Sequence, residues 1–125
     1  MECNQIYQRD CLDGLRELPD HCIDLTITSP PYDDLRAYNG YSFPFESIAK
    51  ELFRVTKPGG VVVWIVGDQT YQGSESGSSF KQALFFKELG FNLHDTMIYL
   101  SHKRPLTHRR YEQCFEYMFL TTLHA

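Results

Sequence analysis

Ser29-Pro30-Pro31-Tyr32 puts an acceptor hydroxyl, two prolines and a phenol ring in consecutive positions. Ser29 and Pro30 each precede a proline, which pushes both toward extended backbone. Neither proline can donate a backbone hydrogen bond. The turn is therefore stiff and offers acceptors only, the Ser29 hydroxyl oxygen and the Pro30 carbonyl, with an aromatic face alongside. One chemistry suits such a group. An exocyclic amino group on a nucleobase is a weak nucleophile, because its lone pair is delocalised into the ring. Two fixed acceptors can hold its N–H bonds and aim the lone pair at an electrophile, which is positioning with electrostatic assistance. An adjacent ring can stack on a base flipped out of its helix. An ordinary proline-rich turn after a strand reads the same way on four residues, so the flanking sequence has to decide.

Other charged residues could serve such a site. Asp10 stands where a short apolar stretch gives way to helical spacing; it reads as a ligand-facing carboxylate, as a helix N-cap, or as both. Asp68 follows a run of β-branched residues and is a second carboxylate at a strand's carboxyl end. Lys103, Arg104, Arg109 and Arg110 cluster with His102 and His108 in a stretch, Thr96 to Tyr111, that contains no acid. That is a phosphate-facing patch or a solvated loop. No Cys–His spacing matches a metal site, and no CxxC pair occurs. Cys3, Cys11, Cys22 and Cys114 read as reduced thiols of a cytoplasmic protein.

The elements that must carry these groups follow from pattern. Ile6 to Gln8 reads as a short strand. Cys11 to Leu18 has Leu12, Leu15 and Leu18 at helical spacing and stops at Pro19. Ile23 to Thr28 is a strand feeding Ser29. Asp33 to Tyr41 is a polar, aromatic loop, either a lid or a plain connection. Phe43 to Thr56 reads as a helix with Ser42 as candidate cap, Pro44 in its first turn, and Ile48, Leu52, Phe53 and Val55 on its buried side. Lys57-Pro-Gly-Gly60 ends it. Val61 to Val66 is an unbroken apolar run, the pattern of a parallel strand covered on both faces. Thr70 to Ser79 reads as a mobile Gly/Ser loop. Phe80 to Leu89 is a helix with Phe80, Ala83, Leu84 and Phe86 as apolar set and Gly90 as stop. Leu93 to Leu100 and Gln113 to Leu120 read as strands, paired antiparallel because no helix fits between them. The fold class is α/β: a mainly parallel sheet with helices on both faces and an antiparallel edge pair.

The 125 residues make a single domain of common size. Apolar content of 42% and charged content of 22% are those of a globular chain and exclude a disordered one. No apolar run nears the roughly 20 residues that span a bilayer, and the start lacks a signal peptide's pattern. The net charge of −4 argues against indiscriminate nucleic-acid binding.

In order and spacing, the chain resembles the DNA amino-methyltransferases, which use S-adenosylmethionine to modify cytosine N4 or adenine N6. The carrying stretches are Arg9-Asp-Cys-Leu-Asp-Gly-Leu15, Asp24-Leu-Thr-Ile-Thr-Ser-Pro-Pro-Tyr-Asp33, Glu51 through Lys57-Pro-Gly-Gly-Val61, Gly90-Phe-Asn-Leu-His-Asp95 through Tyr99, and Arg110-Tyr with Phe115-Glu-Tyr-Met-Phe119. The resemblance runs from about residue 5 to 121. It implies a Rossmann-like S-adenosylmethionine-dependent methyltransferase fold, with Ser29, Pro30, Pro31 and Tyr32 as the catalytic motif. It also implies that Asp10, with Cys11 and Ser29, holds the cofactor; the charge pattern makes Lys103, Arg104, Arg109 and Arg110 the candidate DNA-facing residues, and no metal is expected. Ser at position 29 is commoner in cytosine-N4 members, a slight lean to cytosine. The family's glycine-rich cofactor loop and target-recognition segment are absent, as are two strands between the first strand and the Ile23 strand. The expectation is one truncated catalytic domain over residues 1–125, weak or inactive alone, in a homo-dimer or with a complementing second chain. A remnant that only binds nucleic acid or a partner is the alternative.

Overall fold

The computed structural model describes residues 1–31, 43–101 and 114–125. Three helices, α1 (Cys11–Glu17), α2 (Phe45–Val55) and α3 (Ser78–Leu89), accompany six strands: β1 (Ile23–Thr28), β2 (Thr56–Val66), β3 (Thr70–Tyr71), β4 (Ser74–Glu75), β5 (Asn92–Leu100) and β6 (Phe115–Thr122). The main sheet runs β1-β2-β6-β5. β1 pairs parallel with β2, and β6 pairs antiparallel with both β2 and β5. The expected antiparallel pair is thus present. The sheet is mixed: β1, β2 and β5 run in the same direction, and β6 runs against them between β2 and β5.

At the N-terminus, Ile6 to Gln8 forms no strand, and Ile6 is 100% exposed. Three residues cannot hold an extended conformation without a neighbour to supply ladder hydrogen bonds, and no described strand lies beside them.

The core forms on one face of the sheet. Strand side chains alternate between faces, and Val62, Trp64, Val66 and Phe119 point into a cluster with Ile48, Ala49 and Leu52 of α2 and Ala83 and Phe86 of α3. Trp64 and Phe86 meet edge to face at 5.1 Å, and Phe45 packs on both rings. Such ring pairs contribute about 0.5–1.5 kcal/mol each beyond area burial. Trp64 can be buried because its indole N–H donates to Gln82 Oε1 at 2.8 Å. Leu12 and Leu15 bring α1 against the same cluster. All three helices therefore lie on one side. The expectation of helices on both faces is not met among the described residues.

Two local corrections matter for the site. Lys57-Pro-Gly-Gly60 does not separate helix from strand; it is an irregularity inside β2, where Ile23 pairs with Thr56 and Leu25 with Val61. Gly59 has φ +82°, and a Cβ on Gly60 would lie 2.6 Å from Thr56 Cγ2 and 2.8 Å from the Lys57 carbonyl. The Thr70–Ser79 stretch is not a plain loop. It contains the β3–β4 hairpin, turned by Gln72 (φ +48°) and Gly73 (φ +81°), the double positive φ that a tight hairpin needs. In α3 the apolar set divides: Ala83 and Phe86 are buried, while Phe80 and Leu84 are exposed. Phe80 instead leans on the Tyr117 ring at 5.2 Å. The expected lid, Asp33 to Tyr41, and the candidate cap Ser42 lie outside the described residues.

Candidate functional site at the strand tips

β1 carries Ser29 to the edge of the sheet. Ser29 is exposed, Pro30 is buried and Pro31 is half-buried. A buried proline fixes the backbone at this point, and the serine hydroxyl stands at the surface beside it. Tyr32 lies outside the described residues.

Connectivity brings other groups to the same end. The Arg54 guanidinium, near the carboxyl end of α2, donates to the carbonyls of Leu15 and Leu18 at 2.9 and 2.8 Å. It also pairs with Asp20 at 2.8 Å and with Glu51, and those two carboxylates hold its pKa above the ordinary value. The carboxyl ends of α1 and α2 are thereby stapled together at the amino ends of the strands. Both helices then begin at the opposite end, where Ser29 is.

Asp10 is the N-cap of α1: its Oδ2 accepts from the Asp13 amide at 3.1 Å. The N-cap reading of Asp10 is therefore correct, and the side chain remains exposed. The first helical residue is Cys11. Cys11 is exposed; desolvation first, and secondly the Asp10 charge, push its thiol pKa up.

Asp68, two residues past β2, anchors α3 from a distance. Gly77 caps that helix with no side chain. Asp68 Oδ1 instead accepts from both the amide and the hydroxyl of Ser79, each at 2.7 Å. Asp68 Oδ2 is buried with no hydrogen-bond partner among the described residues. Sequence pattern marks Asp68 as a strand-end carboxylate, but its tie to Ser79, eleven positions on, is a tertiary contact. Nearby, burial first, then the charges of Glu75 and Asp68, hold the Tyr117 hydroxyl above its usual pKa.

A groove of about 370 Å³ opens between the first turns of α2 and α3, lined by residues that include Phe43, Phe45, Glu46, Lys81 and Phe85. It belongs to the helix layer, beside the strand tips. Lys103, Arg104, Arg109 and Arg110 lie outside the described residues. No group of three or more metal-ligating side chains, and no helix long and apolar enough to cross a membrane, occurs among the described residues.

The arrangement is an α/β sheet whose parallel strands end in an exposed hydroxyl and a tethered carboxylate. Ligands of open α/β sheets sit outside these carboxyl ends.

Residues 23–124 match the family described as DNA methylase, of the N6/N4 methyltransferases. The orphan methyltransferase M.BamHII of Bacillus amyloliquefaciens is 70% identical over 102 residues, 81% of this chain and 38% of its own. Among solved structures, the cytosine-N4-specific PvuII DNA methyltransferase superposes with a TM-score of 0.72 at 20% identity, over 93% of this chain and 48% of that one. M1.HpyAVI in complex with SAM gives 0.65 at 23%, over 96% and 53%. The chain thus spans well under half of the M.BamHII length and about half of each solved chain.

Proposed function

The chain belongs to the DNA methylase family of N6/N4 amino-methyltransferases, and from that premise we propose that it is the catalytic portion of an S-adenosylmethionine-dependent DNA methyltransferase. The Ser29 hydroxyl oxygen and the Pro30 carbonyl accept the N–H bonds of an exocyclic amino group, which turns its lone pair toward the methyl donor. Tyr32 stacks on the flipped base, and Pro31 stiffens the turn. Ser29 is a neutral acceptor, so the amine's proton leaves to solvent. Lys103, Arg104, Arg109 and Arg110 meet the DNA phosphates. Cytosine N4 is slightly favoured over adenine N6, in keeping with Ser at position 29.

The observation that carries this reading is an exposed Ser29 backed by a buried Pro30 at the carboxyl end of a parallel strand. When bound, S-adenosylmethionine supplies the electrophilic methyl group, and M1.HpyAVI was solved with it. The residues here fit part of that cofactor. Asp10 engages one carboxylate oxygen with Asp13, and the other suits the cofactor's amino or hydroxyl groups, with Cys11 alongside. Gly59 and Gly60 lie inside β2 and open no helix, so they make no cofactor loop. The 125 residues alone therefore bind the cofactor weakly and need a second copy or a complementing polypeptide, in the cytoplasm. Calorimetry of the isolated chain with S-adenosylmethionine tests this, and clear micromolar binding refutes it. In a reconstituted enzyme, Ser29→Ala abolishes methyl transfer without unfolding the domain. Near-normal turnover by that variant sinks the site assignment.

A further inference from the structure

One projection at the strand tips takes no part in holding the amino group or the methyl donor. β3 and β4 have two residues each, and Thr70 to Ser76 are all exposed. A two-stranded hairpin by itself is marginal in water. This one is clamped at its base. The Ser76 amide donates to the Gln69 carbonyl at 2.8 Å. Asp68 and Ser79, on either side of the stretch, are tied by two hydrogen bonds of 2.7 Å. Positive φ at both Gln72 and Gly73 fixes the tip. The hairpin is therefore a fixed body whose side chains stand in water.

Its position and chemistry say what it meets. Thr28 of β1 pairs with Trp64 of β2. β2 therefore ends just beyond Ser29 on the neighbouring strand, and the hairpin follows at the same end of the sheet. Tyr71 is 71% exposed. It lies opposite Ser74, so the ring shares its face of the hairpin with a small side chain. Gln72 at the tip carries an amide that both donates and accepts. From Gln69 to Gln82 the charged residues are Glu75 and Lys81, which cancel. The projection thus lacks the positive charge that holds phosphates. A ring and an amide on a neutral support suit the faces and edges of bases.

We propose that the β3–β4 hairpin contacts the DNA duplex beside the target nucleotide, with the Tyr71 ring stacked on the base left exposed when its neighbour leaves the helix and Gln72 against base edges. The inference rests on the methyltransferase reading for the choice of DNA. Tyr71 and Tyr32 have separate tasks: Tyr32 takes the extruded base, and Tyr71 takes the stack it left. Extrusion costs stacking energy, and a ring offered to the remaining neighbour restores part of it.

The test is photocross-linking of the 125-residue chain at low salt to a duplex with a single abasic nucleotide beside a 5-iodouracil. The abasic nucleotide leaves its neighbour unstacked without need of a recognition sequence. The cross-link is expected in the peptide that contains Tyr71, and to fall when a paired nucleotide replaces the abasic one. Tyr71→Phe keeps it. Tyr71→Ala loses it and weakens binding to the abasic duplex by about tenfold, within the range of base–aromatic stacking. The salt slope stays unchanged, because no phosphate contact is removed. Tyr71 is exposed, so both variants keep the far-ultraviolet circular dichroism of the parent chain. No cross-link at Tyr71, equal cross-linking to the paired duplex, or a lowered salt slope in Tyr71→Ala overturns the proposal. Cross-links confined to the stretch from Lys103 to Arg110 overturn the hairpin contact and leave the methyltransferase reading standing. A cross-link at Tyr71 without methyl transfer by the reconstituted enzyme supports the contact and counts only against the catalytic reading.

Discussion

Asp68→Ala is the sharpest test of how the strand tips are built. The carboxylate makes two hydrogen bonds of 2.7 Å to Ser79, whose side chain and amide are buried. Hydrogen bonds to a charged group contribute about 1.5–3 kcal/mol, and loss of a helix cap costs about 0.5–2 kcal/mol. These overlap here, because capping α3 is what the bonds do. Removing Oδ2, which is buried without a partner among the described residues, relieves about 1 kcal/mol of desolvation. The net expectation is a loss of about 2 kcal/mol. With a urea slope of about 1.5–2 kcal/mol/M, the unfolding midpoint falls by roughly 1 M. Ser79→Ala removes only the hydroxyl partner and loses about half as much. Hydrogen exchange in the first turn of α3 rises in Asp68→Ala before any change in β5 or β6. A midpoint shift below about 0.3 M, or loosening spread evenly over the sheet, refutes the tether.

Gly60→Ala places a Cβ 2.6–3.1 Å from Thr56 Cγ2 and from the backbone oxygens of Lys57 and Asp24; the expected cost is about 1–3 kcal/mol by thermal or urea unfolding, and an unchanged midpoint contradicts the tight approach. Tyr117 is protonated more firmly in the folded chain than in the unfolded one. Its contribution to stability is therefore full below about pH 10 and is lost as pH rises through the raised folded value. Absorbance titration should find one tyrosine ionising late that is missing from Tyr117→Phe. In the reconstituted enzyme, Arg109→Ala with Arg110→Ala weakens DNA binding and lowers the salt slope by about 2; an unchanged slope removes these residues from the phosphate contacts.

Local pattern was sufficient wherever a segment's conformation answers to its own residues. The helical spacing of Leu12, Leu15 and Leu18 and the Gly90 stop match α1 and the end of α3, and the β-branched run Val61–Val66 emerges as the second half of β2, which starts earlier, at Thr56. The antiparallel pairing of the last two strands followed from the shortness of their connection. The Ser-Pro-Pro turn was legible because proline restricts backbone regardless of surroundings.

Long-range placement was not legible in the same way. A six-residue apolar run looks the same whether one or both of its faces are covered, so Val61–Val66 could not reveal that the helices lie on one side. Ile6 to Gln8 has strand composition, but a strand exists only where another backbone accepts its hydrogen bonds. The Asp68–Ser79 tether joins groups whose types suit many roles, and only the folded approach of β2 to α3 selects this one. Sequence by itself determined the three helices, the longer strands and the stiffness of the Ser-Pro-Pro turn, because backbone restriction and periodicity act within a few positions. Tertiary structure alone decided which sheet face stays bare and which carboxylate anchors which helix, because those depend on partners far along the chain or outside it.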